Sequence, residues 1–405
     1  MTSASRIKSS ELEKVRSTEI NHTSQKMRQT MRHFFPVLFI IFCVAGISRG
    51  QELGIQFSPA WPPLTASIKI AQPLDFCGEP VDLDSQEVRE RLEKELLLTV
   101  WDRPQVILWI KRSTRYLPII EEMLKENKMP DDLKYMAIIE SALRPHAGSR
   151  KGAVGFWQFL ESTGEKYGLK INAEIDERRN IFASTQAAIN YLKELYELLG
   201  TWTLAAAAYN MGELGLESEI VSQKTNDYYQ LYLPLETQRY VFRIISAKLI
   251  FMDPEQFGYR VEETDLYPPL QYDRTHIECF QDTPIHVIAR AANTQFKVIK
   301  DLNPEIRGHF LGAGMHSLLI PRGAGNGFHV RFKQLVKEWL AENQERVYVV
   351  KEGDNLTTIA ERFAVPLPAL LIWNRLDGNK PIYPGDRLVI YPNEINGDFN
   401  PSQED

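Results

Sequence analysis

Glu140 is the residue whose surroundings most constrain what this chain can do. Pro130-Asp131-Asp132 is a strong helix start, with proline in the first turn and acids at the positive end of the dipole. The helix it predicts runs to Leu143 and must stop before Pro145. Leu133, Met136, Ala137 and Glu140 then fall at i, i+3, i+4 and i+7, so Glu140 projects from the apolar face at the negative end of the helix. Burial and the dipole both penalise its anion. A carboxyl so placed keeps its proton near neutral pH, which a general acid needs in order to protonate a glycosidic oxygen as the bond breaks. The same spacing also fits an ordinary glutamate that bends into solvent at a fraying helix end.

No second carboxylate stands at a matching place. Asp176-Glu177-Arg178-Arg179 is the obvious acidic candidate, but alternating charges before a helix at Ile181 read as capping and ion-pair structure. That matters because most glycosidases use two carboxyls, one as acid and one as nucleophile or base. The four alanines at 205–208 let two helices approach closely. Tyr209 and Asn210 follow at the helix end, with Gly212 free to take a left-handed geometry. Tyr209 could reach the Glu140 carboxyl by hydrogen bond or serve as a packed core tyrosine. Trp157 could stack on a sugar face, yet a large aromatic in a helical domain reads first as core and is left out of the catalytic set.

The elements that must position these groups follow from patterning. The chain has 405 residues, 43% hydrophobic and 25% charged, which is enough for two or three globular domains. From Asp84 to about Asp253 amphipathic stretches succeed one another between Gly, Pro and Asn punctuation, predicting an all-α domain over 84–255. Residues 51–83 are rich in proline and small polar residues and read as a tether. Residues 256–272, with Pro268-Pro269, read as a linker. Beyond it lies an internal repeat. Ile288-Ala289-Arg290, Leu302-Asn303 and Leu318-Leu319-Ile320 match Ile359-Ala360-Glu361, Trp373-Asn374 and Leu388-Val389-Ile390 at the same Ile-to-Asn spacing. Each copy predicts strand, helix, helix, strand, in modules over 273–323 and 345–393 joined by a connecting helix over 324–344 and followed by a tail over 394–405. Such small units suit a module carried on a larger protein.

The N-terminus carries an address. A basic stretch ends at Arg32 and His33, an apolar run covers 34–47, and Ser48 and Gly50 supply small residues for cleavage before Gln51. Residues 1–50 therefore read as a signal peptide rather than a membrane span, which needs about 20 apolar residues. The unusually long leader suggests translation from Met27 or Met31. Net charge is −6, and residues 1–50 hold eight Lys/Arg against three Glu, so the remainder carries −11. That argues against nucleic acid as a partner, since phosphate contacts need clustered cations. Of three cysteines, Cys43 lies in the apolar run; Cys77 and Cys279 could pair, though their separation in sequence gives no reason that they must. The eight histidines show no ligand spacing and no phosphate-type glycine loop follows a strand, so neither metal nor cofactor is expected.

Four motifs in order give these residues a family. Glu140-Ser141, Gly155-Phe156-Trp157-Gln158-Phe159, Ala207-Ala208-Tyr209-Asn210 with Gly212, and Glu236-Thr237-Gln238-Arg239-Tyr240-Val241 together resemble the catalytic domain of soluble lytic transglycosylases. The resemblance covers about 104–253. It implies a mainly α fold, a lysozyme-like helical catalytic domain with a saccharide cleft, followed by small α+β (βααβ) modules. Position by position it makes Glu140 the sole catalytic acid/base and Ser141 its neighbour. It makes Gln158 and Tyr209 cleft residues around the scissile bond, Asn210 a supporting polar residue and Tyr240 the tyrosine of the closing helix. Phe156-Trp157 and Met211 depart from the commoner family residues while keeping apolar character, which touches subsite detail.

The second copy, 347–391, resembles a LysM domain through Gly353-Asp354-Asn355-Leu356, Ile359-Ala360, Trp373-Asn374 and Tyr383-Pro384-Gly385-Asp386. This implies binding of N-acetylglucosamine-containing chains beside the Gly353 and Tyr383 loops, with Gly353, Asp354, Asn355, Leu356, Tyr383 and Pro384 as the contact set. The glycines serve turns as well. In the first copy Asp282-Thr283-Pro284 replaces Gly-Asp-Asn, so it reads as a structural spacer. The implied activity is cleavage of the MurNAc-GlcNAc β-1,4 bond of peptidoglycan with 1,6-anhydroMurNAc ends. A hydrolytic muramidase and a non-catalytic peptidoglycan-binding scaffold are the competing readings. Peptidoglycan strands are the expected partner, with cell-envelope proteins as further candidates; the protein is expected to be a monomer, exported to the periplasm or cell envelope and open to membrane association.

Overall fold

The computed structural model describes residues 69–344, 347–374, 376–378 and 381–391. The signal-peptide reading of 1–50, the two candidate start methionines, Cys43 and the tail over 394–405 lie outside the described residues. Most of the described chain is helical, and the strands form small two-stranded sheets.

The first region opens with a hairpin, β1 (Asp75–Phe76) against β2 (Glu79–Pro80). Helices α1 (Gln86–Trp101), α2 (Arg103–Glu126), α3 (Lys134–Ser141), α4 (Glu161–Lys166), α5 (Ile181–Leu199), α6 (Trp202–Met211), α7 (Glu213–Gln223) and α8 (Leu235–Met252) follow. Local chemistry sets their ends. The Ser85 hydroxyl and the Asn180 carboxamide accept the first free amides of α1 and α5, and Gly200 closes α5 in left-handed geometry. Helix α8 is the hub, packing on α1, α3 and α6. The alanines at 205–208 are fully buried, which lets α6 lie close to its neighbours.

Three sequence expectations change here. The tether over 51–83 ends earlier than expected, because Leu74, Phe76, Val81 and Leu83 are buried in the helical core. A hairpin of two-residue strands, the second ending in proline, leaves no alternation to read. The linker over 256–272 is likewise fastened rather than free. Phe257 and Tyr259 are buried, the Tyr259 hydroxyl donates to the Val100 carbonyl at 2.7 Å, and Tyr267 exchanges bonds with Lys111 and Thr114 of α2. The helix carrying Glu140 is a 3₁₀ turn, Asp131–Leu133, running into α3, and it stops at Ser141, two residues before the predicted end.

The repeat forms two βααβ modules. In the first, β3 (Tyr272–Cys279) and β6 (Gly314–Pro321) pair antiparallel from Tyr272↔Pro321 to Cys279↔Gly314, and a second pair joins β4 (Thr283–Pro284) to β5 (Phe310–Leu311). Helices α9 (Ile285–Ala291) and α10 (Phe296–Leu302) lie between them, and α11 (Phe328–Gln344) leads on. In the second, β7 (Val347–Val349) pairs with β8 (Arg387–Val389) around α12 (Leu356–Arg362) and α13 (Leu367–Asn374). One asparagine fastens each copy. The Asn303 carboxamide nitrogen donates to the Ile299 and Leu319 carbonyls at 2.8 Å, and its oxygen accepts from the Leu319 amide at 2.8 Å. Asn374 does the same with Leu370 and Val389 at 2.9, 2.8 and 2.6 Å. The matched asparagines in the sequence are thus clamps between the second helix and the last strand, Asn303 fully buried and Asn374 half-buried. Cys77 and Cys279 are free thiols.

Candidate active site

Helix α3 delivers Glu140 one residue from its end. Ala142 and Leu143 both take left-handed backbone, with the Ala142 amide closing on the Ile138 carbonyl at 2.7 Å. Two guanidiniums satisfy carbonyls at this terminus: Arg112 on Ala142 at 3.1 Å and Arg144 on Ser141 at 3.0 Å. The Ser141 hydroxyl turns back to the Ala137 carbonyl at 3.1 Å and accepts from the Arg144 amide at 3.4 Å, so its polar atom is spent on the helix end.

Glu140 keeps part of its surface open. Enough protein nevertheless surrounds the carboxyl that burial is the largest influence on it, pushing its pKa up to about 7 from 4.5. Two groups on α8 pull the other way: the Tyr240 hydroxyl, which donates to Glu140 Oε1 at 2.5 Å, and the Arg243 charge one turn further along. Glu236, also on α8, pushes it up again. The α8 helix is therefore the tuning element. Sequence reasoning reached Tyr240 only through the family resemblance and missed Arg243, although its i+3 spacing from Tyr240 was available.

Tyr209 is the residue for which the sequence leaves two roles open, a bond to Glu140 or a packed core position. Its hydroxyl donates to the Trp157 carbonyl at 2.8 Å rather than to Glu140, although the Glu140 charge is close enough to raise its pKa, after burial as the main cause. Tyr240 is held neutral by the same two causes. Asn210 accepts from the Thr237 hydroxyl at 2.9 Å and so ties the end of α6 to the start of α8. Gly212 has positive φ but an extended ψ, 91° and 142°, so it turns the chain directly into α7 without the left-handed cap expected. Trp157 is wholly buried, its indole donating to Thr185 at 3.0 Å, and packs as core.

Gln158 sits on a turn at 155–159 whose strain is visible: φ is 51° at Gln158, a region costly for a residue with a side chain. Its carboxamide donates back to the Gly155 and Ala147 carbonyls at 2.9 and 3.2 Å. Gly155 is required there, since a Cβ would lie 1.8 Å from the Arg178 carbonyl oxygen. Asp176 is fully buried and paired with Arg178 at 2.8 Å. Burial raises its pKa, but the bonds and charge of Arg178 together with the charges of Arg179 and Arg307 outweigh that and leave it below the ordinary carboxylate range. It is a buried, ion-paired anion. Among the described residues no group of three His, Cys, Asp or Glu stands together as a metal site.

In the 345–393 module, Gly353 and Gly385 both turn at positive φ. Val350 bonds to both Gly385 and Asp386, drawing the Tyr383 loop to the strand end that leads into the Gly353 loop. Asp354 accepts from the Tyr348 hydroxyl at 2.6 Å and the Lys351 amide at 2.8 Å, and Asn355 caps α12 at the Thr358 amide, 2.9 Å. Their side chains thus hold the loop in shape. Leu356 packs against the module core, while Tyr383 is 63% exposed beside Pro384, leaving a ring face to solvent.

Sequence comparison places this geometry among known proteins. The transglycosylase SLT domain profile matches residues 118–232 and the LysM domain profile matches 348–390. The chain is 32% identical over 295 residues to membrane-bound lytic murein transglycosylase D of Escherichia coli K12, covering 69% of this chain. It spans 64% of the length of that relative. Among solved structures, the 70 kDa soluble lytic transglycosylase of Escherichia coli aligns at 15% identity and TM-score 0.32 over 45% of this chain and 32% of that one. A lytic transglycosylase Slt of Pseudomonas aeruginosa, solved as an inactive mutant, aligns at 20% identity and TM-score 0.29 over 38% and 26%.

Proposed function

We propose, from the match of residues 118–232 to the transglycosylase SLT domain and of 348–390 to the LysM domain, that the chain is a peptidoglycan lytic transglycosylase with Glu140 as its sole general acid/base. The observation that carries this is one carboxyl, pushed up to about 7 by burial, open on one side and fixed by the Tyr240 hydroxyl. At neutral pH such a group holds a proton for a large share of the time and can give it to the leaving glycosidic oxygen. The N-acetylmuramic acid C6 hydroxyl then attacks its own C1, and the Glu140 carboxylate takes the hydroxyl proton. The bond between C1 and the leaving oxygen breaks, a C1–O6 bond forms, and the acid returns to its starting state with a 1,6-anhydro end as product. The Arg178-bound state of Asp176 supports an acid that works alone. Gln158, Tyr209, Asn210 and Tyr240 line and brace the scissile position in this reading, and Ser141 acts by finishing the helix that presents Glu140.

The Gly353 and Tyr383 loops then hold a second stretch of the same polymer, with Tyr383 stacking on a sugar face. The murein-acting, membrane-bound relative and the apolar run at 34–47 support export to the cell envelope. Digesting purified sacculi and weighing the products tests the reaction. Ends lighter by one water than hydrolysed muropeptides are expected, whereas hydrolysed ends would transfer the proposal to a muramidase and no release to a binding scaffold.

A further inference from the structure

The first module is built into the catalytic domain. Ile175, on the 172–180 loop of the helical region, is buried in the core of the 273–323 module. It forms an antiparallel bridge with Ile306. The Asp176 amide donates to the Glu305 carbonyl at 2.8 Å and the Arg307 amide to the Glu174 carbonyl at 2.7 Å. Side chains extend the seam: Asn180 donates to Glu305 Oε1 at 2.9 Å, Arg307 to the Asn172 carbonyl at 2.7 Å, and the Gly312 amide to Glu174 Oε2 at 3.1 Å. A spacer joined to its neighbour only by a linker would share neither a strand bridge nor a core residue with it.

The far side of the same loop holds the strained turn. Arg178, 3% exposed and paired with Asp176, donates through Nη1 to the Gly152 and Phe159 carbonyls at 3.1 and 3.3 Å, the two ends of the segment that contains Gln158. The Arg178 carbonyl fills the space where Gly155 lacks a side chain. The segment in turn gives the Trp157 carbonyl to Tyr209. Backbone held in a sparsely populated region persists only when its surroundings over-determine it. Here the surroundings are the 172–180 loop, itself clamped from outside by the module.

We propose that the 273–323 module is a positioning part of the active site: docked through Glu305, Ile306 and Arg307, it fixes the 172–180 loop and, through Arg178, the turn that carries Gln158. The proposal rests on the glycan-cutting reading only for its effect on turnover. Ile175 is the residue to test, because it belongs to the module core and not to the core that holds Phe156, Trp157 and Phe159. Hydrogen exchange of the full chain is measured for the Gly155 and Val154 amides, which close the turn on Ala147 and Phe159, beside turnover of glycan strands. Ile175→Asp is expected to speed exchange of those two amides at least tenfold, with α5 and α8 still protected. Loss of kcat by roughly tenfold to a hundredfold should accompany it, the size expected when a reacting geometry slips by about 1 Å, with KM little changed. Ile175→Ala should give the same pattern at about threefold, and Ile175→Val should restore it. If Ile175→Asp unfolds the protein, the alanine variant decides. Turn amides that exchange as in the parent while the seam amides of Asp176 and Arg307 open would overturn the proposal, whatever the activity. A parent chain that cuts no glycan yet shows the exchange change would leave the coupling standing and remove the catalytic reading.

Discussion

Glu140 and Glu305 are two carboxyls that burial pushes to the same place, about 7, in regions doing different work. Glu140 keeps an open side, and its partner is a phenol on the hub helix. Glu305 is closed in a seam between two units, with Oε1 on the Asn180 amide and Oε2 buried without a hydrogen bond. A raised pKa is therefore not what marks an active site in this molecule. The difference is access together with a neighbour that can follow the carboxyl through both protonation states, as the Tyr240 hydroxyl can by donating to either.

Substitution at the two positions should separate them most sharply. Glu140→Gln is predicted to lower kcat on glycan strands by at least about 10² to 10⁴, the range attributed to a positioned proton donor, with the fold retained. Glu305→Gln still offers Asn180 an oxygen and should lower kcat by no more than about threefold, the scale of one weakened hydrogen bond. Equal losses at the two sites, measured on the same strands, would dissolve the comparison. Next in size is Tyr240→Phe, expected to lower kcat/KM roughly tenfold. Because the hydroxyl favours the Glu140 anion, its loss should also move the alkaline limb of the pH–rate profile upward. A limb that stays put or moves toward acid would place the controlling group elsewhere.

Stability should treat the two carboxyls alike. Each has a folded pKa above its ordinary value of 4.5, so between about 4.5 and 7 the folded chain holds a proton that the unfolded chain has released. Stability therefore falls as pH rises through that window and stays reduced above it. Replacing either acid with glutamine should stabilise the fold at pH 8, by on the order of 1 to 3 kcal/mol once partial solvent access is allowed for, and so raise Tm there while changing little at pH 4. Thermal melts at the two pH values check it. A gain at pH 4 equal to that at pH 8 would point to packing rather than to a proton.

What the sequence reveals follows the same division between local and distant causes. The periodicity of Leu133, Met136, Ala137 and Glu140 lies within one short 3₁₀ turn and the α-helix that continues it, and the structure presents Glu140 from the last turn. The repeat was readable because each copy needs one asparagine at one distance from its isoleucine, and Asn303 and Asn374 turn out to be the same clamp. Contacts that bridge distant segments left no periodic trace. Tyr240 meets Glu140 across 100 positions, and its place came from the family resemblance alone. The hairpin at Asp75–Pro80 and the bridge at Ile175 are too short for any pattern, so the sequence shows neither where the tether ends nor that the first module meets the 172–180 loop. The left-handed backbone of Gln158 has no signature in a glutamine; only Gly155, three residues earlier, hints at a tight turn.

The proposed cleavage depends on the proton of Glu140, and that proton can be watched. With ¹³C-carboxyl-labelled glutamate, the Glu140 resonance is the one missing from the Glu140→Gln spectrum, and its shift can be followed from pH 4 to 9. A midpoint near 7, moving upward in Tyr240→Phe, is the predicted result. A midpoint near the ordinary value of 4.5 would mean that the carboxyl is already an anion when the bond must break, and would contradict the proposed chemistry.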